Sequence, residues 1–188
     1  FEETLRKKNI PYKIYGGLSF YERKEIKDIL AYFRLVMNRE DDEALRRSIN
    51  YPKRGIGDTT VEKIFELASE MNVSAWDAIT RAGEHSQHFN SGTVKKLTAF
   101  ADLINALSKD AEKSDAYAKA REIAAGSGIL KELREGKLAE EISRYENMEE
   151  LLNAIKIFTE AAETNGEPST LGAYLANVAL LTDQDNEK

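Results

Sequence analysis

The sequence predicts a mostly all-α chain with one short β-strand near its N-terminus. Three observations carry this. From Glu25 to Leu181 apolar residues recur at steps of three and four, the spacing of one helix face. Residues 10–17, "IPYKIYGG", instead alternate, with Ile10, Tyr12 and Ile14 on one side and turn glycines behind them, as a strand does. The 188 residues contain no cysteine, so disulfides and zinc–thiolate sites are excluded and apolar packing must hold the fold.

The elements follow in order. Residues 25–38 carry Ile26, Ile29, Leu30, Phe33, Val36 and Met37 on one stripe. That stripe should be buried against something sizeable, such as the sheet of a parent domain; left uncovered it would invite aggregation or dimerisation. Asp41 or Asp42 can cap a short helix with Leu45 and Ile49. Val61, Ile64, Phe65, Ala68 and Met71 form the next stripe, and Ser74 opens a short helix with Trp76 and Ile79. A long helix carries Val94, Leu97, Phe100, Leu103, Ile104 and Leu107. Further helices are expected over residues 116–125, within "GSGILKELREG", over 140–164 and over 169–181. The tail at 183–188 has no apolar anchor and should be disordered.

Charge narrows the function classes. The net charge is −6, which argues against a generally basic nucleic-acid binder. Residues 1–40 nevertheless carry nine bases and six acids, which leaves −9 on the remainder. Within that remainder Arg46, Arg47, Lys53 and Arg54 fall in nine consecutive residues without an acid. Screening confines a field to about 10 Å, so a local basic patch on an acidic body can still hold a phosphate backbone. No apolar run approaches the roughly 20 residues of a membrane span. A reducing, cytoplasmic setting is expected. Phe1 is not a start methionine and "FEETLRKKN" reads as a helix already under way, so the chain is expected to be a piece of a longer protein.

The densest stretch is "YPKRGIGDTT", residues 51–60, and two readings of it are open. In the first it is a tight turn: Pro52 ends what precedes, Gly55 and Gly57 allow positive φ, and Thr59-x-x-Glu62 forms a capping box that starts a helix. In the second it is a helix-hairpin-helix DNA grip. Two glycines then let backbone N–H groups approach a phosphate, and Ile56 plugs the turn into the core. The following helix aims its positive end at the anion, with Lys53, Arg54 and Lys63 adding salt-dependent attraction. Asp58 fits that reading least. A second stretch, residues 16–28, sets Phe20 and Tyr21 beside Arg23, Lys24 and Lys27, a combination suited to single-strand stacking or to an ordinary charged helix start. His85-x-x-His88 lacks an obvious third ligand, and no G-x-x-x-x-G-K-[ST] phosphate loop is present.

Together these stretches resemble the UvrD/PcrA/Rep family of superfamily 1 bacterial DNA helicases. "IPYKIYGGLSFYERKEIKDILAYFRLVMN" is similar to a segment late in the family's motor subdomain 2A. "NYPKRGIGDTTVEKI" is similar to the GIG element at the start of its inserted 2B subdomain. "SRYENMEELLNAIKIF" resembles its R-x-E-N-x-E-E-L helix, through Arg144, Glu146, Asn147, Glu149, Glu150 and Leu151. The resemblance implies an end of 2A over residues 1–40 and a helical 2B-like subdomain over 41–182. It implies a parent that is an ATP-driven, Mg2+-dependent 3'–5' helicase, with ATP bound by motor domains outside these residues and no catalytic or metal site within them. It places duplex contact at Gly55, Ile56 and Gly57, flanked by Lys53, Arg54, Thr59, Thr60 and Lys63, with Arg46 and Arg47 beside them. Phe20, Tyr21 and Arg23 are expected near the single-strand path. Implied partners are duplex and single-stranded DNA, the motor domains of the same polypeptide, and repair or replication proteins. The acidic remainder keeps a second role open, a regulatory lever that docks proteins and touches DNA little.

Overall fold

The computed structural model describes residues 17–186, with side chains from 19 to 182. Ten α-helices follow one another there: α1 Gly17–Tyr21, α2 Lys24–Met37, α3 Asp42–Ser48, α4 Asp58–Met71, α5 Ala75–Thr80, α6 Ser91–Ser108, α7 Ala116–Gly126, α8 Ile129–Arg134, α9 Ala139–Asn165 and α10 Leu171–Asn186. One isolated bridge, Asp115 to Thr170, is the sole strand-like pairing among the described residues. The expected strand lies outside them, except that Gly17 already begins α1.

Helix α2 is the centre of the fold. Ile26, Ile29, Tyr32, Phe33 and Leu35 are each 0% exposed, and the helix packs against α3, α6, α7, α9 and α10. Burying each such side chain stabilises by about 1.5–3 kcal/mol. This corrects the expectation of a sheet-facing stripe left bare: helices of the same chain bury Ile26, Ile29, Phe33 and Val36 and leave Leu30 and Met37 partly buried. The packing is continuous across residue 40, so no break in the core marks the division expected there.

Local chemistry sets the helix starts. The Asp41 carboxylate accepts the Ala44 amide and caps α3, while the Arg34 guanidinium donates to both of its oxygens at 2.9 Å. Burial pushes the Asp41 pKa up, but the Arg34 and Ala44 hydrogen bonds outweigh it and hold the pKa below the usual value. Ser74, Asn90 and Asp115 cap α5, α6 and α7 in the same way. Gly128, at φ 86°, makes the stop between α7 and α8 that the GSG sequence suggests. Helix α10 runs to Asn186, past the last apolar residue of its stripe. Lys119 is 2% exposed and its ammonium donates to the Leu107 and Lys109 carbonyls and to Glu122, closing the C-terminal end of α6.

The R-x-E-N helix is α9, and its asparagine is a tie. The Asn147 amide donates to Glu25 Oε1 at 2.6 Å, and Arg23 donates to Asn147 Oδ1 at 2.5 Å. Glu25 and Asn147 are 7% and 8% exposed, so each needs the other to remain paired once out of water.

Candidate nucleic-acid interface

The turn between α3 and α4 is built from the core outward. Ile56 is 1% exposed and plugs it. Asn50 Oδ1 accepts two backbone amides, those of Arg54 at 2.9 Å and Ile56 at 3.1 Å. The Tyr51–Pro52 peptide is cis, and the Tyr32 hydroxyl on α2 donates to the Tyr51 carbonyl at 2.6 Å. Burial lifts the Tyr32 pKa to about 12 against the pull of Arg54, so the hydroxyl stays protonated as a donor. Gly55 sits at φ 71°, where any Cβ is strained, and Lys96 Nζ donates to its carbonyl at 3.1 Å.

Helix α4 then begins in the open. Gly57 is its N-cap and offers no side chain, and a Cβ built there would meet nothing within 4 Å. The expected capping box is not formed. Thr59 lies inside the first turn and is exposed, and the helix starts one residue earlier, at Asp58. The amides of Asp58 and Thr59 have no acceptor among the described residues. Asp58 is exposed and forms no hydrogen bond or ion pair there, so it neither caps the helix nor neutralises a base. Lys53, Lys63 and Lys96 are exposed around this end. Thr60 is half-buried in the same turn of helix.

The four bases of the acid-free run divide by partner. Arg54 faces inward, donating to Pro52 O at 3.0 Å, Ser127 O at 2.9 Å and Ser48 O at 3.4 Å, with its guanidinium near the Phe100 and Tyr32 rings. Arg47 donates to Asp28 at 2.8 Å, a carboxylate that also accepts Lys24 at 2.7 Å. Arg46 lies 3.5 Å over the Phe65 ring. Of the four, Lys53 alone has no partner among the described residues. The structure thus sets Lys53, Gly55, Ile56, Gly57, Thr59 and Thr60 at the start of α4, with Lys63 exposed in its second turn, and turns Arg47 and Arg54 toward the fold. Lys96 was missed by sequence reasoning, since nothing in "TVKKL" links it to a turn 41 residues away.

The aromatic stretch is placed differently from its expectation. Phe20 is 2% exposed and packs edge-on against Tyr21. A base has no face of Phe20 to stack on, which corrects the stacking-pair reading for that residue. The Tyr21 hydroxyl shares a 3.0 Å hydrogen bond with that of Tyr174, and Arg23 is taken up by Asn147 and the Phe20 ring. His85 and His88 sit with ring centres 6.4 Å apart, and no cluster of three His, Asp or Glu among the described residues could hold a metal ion.

Comparison with known proteins completes the picture. The family model of the UvrD-like helicase C-terminal domain matches residues 1–188. The chain is 37% identical over 188 residues to the ATP-dependent DNA helicase PcrA of Staphylococcus aureus, covering 98% of this chain and 25% of that protein. It is 38% identical to PcrA of Staphylococcus epidermidis over the same shares of both chains. It is 37% identical over 179 residues to DNA helicase II of Haemophilus influenzae, covering 95% of this chain and 24% of that protein. The chain therefore spans about a quarter of the length of the curated relatives it matches. A match along every residue, with all three motifs in family order, has one meaning: the chain belongs to the UvrD-like helicase C-terminal domain family.

Proposed function

We propose that this chain is the 2B-type accessory region, with the end of subdomain 2A, of an ATP-dependent 3'–5' DNA helicase. It grips duplex DNA by the phosphate backbone at the start of α4 and so modulates unwinding. The observation that carries the reading is the uncapped helix end: Gly57 leaves it bare, two amides lack acceptors, and Lys53, Lys63 and Lys96 surround it. A phosphate placed there would receive backbone N–H groups and the positive end of the helix dipole. Such contacts position without reading bases, so binding is independent of sequence. Thr59 and Thr60 offer hydroxyls to the same phosphate. Arg54 acts from behind by holding the turn, and Arg47 ties α3 to α2.

In this reading ATP and Mg2+ are bound outside these residues, whose sequence carries no G-x-x-x-x-G-K-[ST] phosphate loop. Hydrolysis belongs in this proposal to motor domains elsewhere in the polypeptide, in the bacterial cytoplasm. A second reading, a lever that docks other proteins, is favoured by the −9 charge on residues 41–188.

Gly57→Ser tests the grip. At φ −77° and ψ 170° a serine would cap α4 and compete for the Thr59 or Thr60 amide. The variant should be more stable by about 0.3 kcal/mol and should bind duplex oligonucleotides more weakly by fluorescence anisotropy. Unchanged or tighter duplex binding in the stabilised variant would remove the helix end from the interface.

A further inference from the structure

Away from the turn, α9 carries a second unassigned feature. Ile142, Tyr145, Glu149, Leu152 and Lys156 follow along α9 at steps of three, four, three and four and so share one face, which Leu138 precedes at the helix N-cap and of which Leu152 is already in the core. The N-terminal end is bare: Leu138 is 68% exposed and Ile142 46%. The middle of the face opens into a cavity of about 450 Å3 shared with α7 and α8. Arg121, Arg134 and Lys156 line the cavity against a single carboxylate, Glu149.

The three cations are held there by rings more than by acids. Arg121 and Lys156 lie 5.7 and 5.9 Å from the centre of the Tyr117 ring. Arg134 lies 5.7 Å from that of Tyr145 and donates to its hydroxyl at 3.3 Å. Lys156 also lies 4.0 Å from Glu160. On a chain of net charge −6, a concave site with a threefold excess of cations is a local exception.

We infer that the α7–α8–α9 groove docks an acidic amphipathic helix of a partner protein, whose apolar residues cover Leu138 and Ile142 and whose carboxylates enter among Arg121, Arg134 and Lys156. Leu138 and Ile142 are not part of the cavity lining but precede it along the same helix, and they set this occupant apart from a nucleic acid, since a phosphate backbone has nothing to place on two leucine-sized side chains. The shared face supplies the geometry, one helix laid along another. The inference rests on the docking reading of the chain and is independent of the duplex grip.

The test is a titration of the isotope-labelled chain, followed by amide NMR, with a synthetic helical peptide bearing leucines on one heptad seam and glutamates beside it. A lysine-for-glutamate version of the peptide and a duplex oligonucleotide are the other arms. The acidic peptide should shift amides around Arg121, Arg134, Ile142 and Lys156, and the lysine peptide should not. Arg134→Glu/Lys156→Glu should weaken the acidic peptide by about tenfold, the sum of two rim charge pairs reversed. Ile142→Asp, at an exposed position that carries no core packing, should weaken it independently. Gly57→Ser should leave it unchanged. Shifts of the groove by the duplex alone would reassign it to phosphate and overturn the inference. Peptide shifts elsewhere on the chain would keep a docking role but remove it from this groove, and no shifts at all would remove both.

Discussion

Arg54→Lys separates holding the turn from touching DNA, because it keeps the charge and removes the fork. The guanidinium serves the Pro52 and Ser127 carbonyls at 3.0 and 2.9 Å from two different nitrogens. An ammonium on a lysine stem can reach one of these carbonyls and leaves the other facing a part-buried gap. A hydrogen bond from a charged group contributes about 1.5–3 kcal/mol, and partial exposure argues for the lower end of that range. Loss of the guanidinium from beside Phe100 and Tyr32 adds about 0.5 kcal/mol. The expected cost is therefore about 2–3 kcal/mol, or roughly 4–12 °C in Tm for a chain of this size. Urea and thermal unfolding measure the stability, and anisotropy measures duplex affinity on the folded variant at low temperature. Duplex affinity should change little. A variant as stable as the wild type that has lost duplex affinity would refute the structural role and return Arg54 to the DNA surface.

Two further outcomes follow from the same geometry. Asp41 has a folded pKa below its unfolded value, so its cap and ion pair stabilise fully above the unfolded pKa of about 3.9 and are lost as pH falls through the folded pKa. Asp41→Ala should thus cost about 1 kcal/mol at neutral pH, and urea titrations should show the gap to wild type closing as pH drops below 4 or so. Gly55→Ala forces a Cβ into the left-handed region 2.9 Å from Lys96 Nζ. The lysine can swing aside but the backbone strain remains, so a loss of roughly 1–2 kcal/mol is expected in urea unfolding.

Much of the fold was legible because its helices are amphipathic. The stripe from Ile26 to Met37 gives α2 to within a residue at each end, and Ser74 announces α5 by its own cap. The covering of α2 was not legible, because a stripe records that something buries it and not what. The GIG turn was visible as a turn, through its glycines and Ile56. Its division of labour was hidden, since a run of four bases looks uniform until three-dimensional partners are known. Ser127 is 73 residues from Arg54 and Glu25 is 122 from Asn147, separations at which no local pattern speaks. The capping box failed for a local reason: Gly57 already had the extended geometry of an N-cap, so the helix began before Thr59 could serve as one.

The central claim is that exposed lysines at an uncapped helix end hold duplex backbone. The most direct measurement is the slope of log K against log salt for duplex binding, in the wild type and in Lys53→Ala/Lys63→Ala/Lys96→Ala. Each phosphate contact contributes a slope of about −0.9, so the triple variant should lose about 2.7 units of slope along with most of its affinity. An unchanged slope and affinity in the triple variant would place the duplex somewhere other than the start of α4.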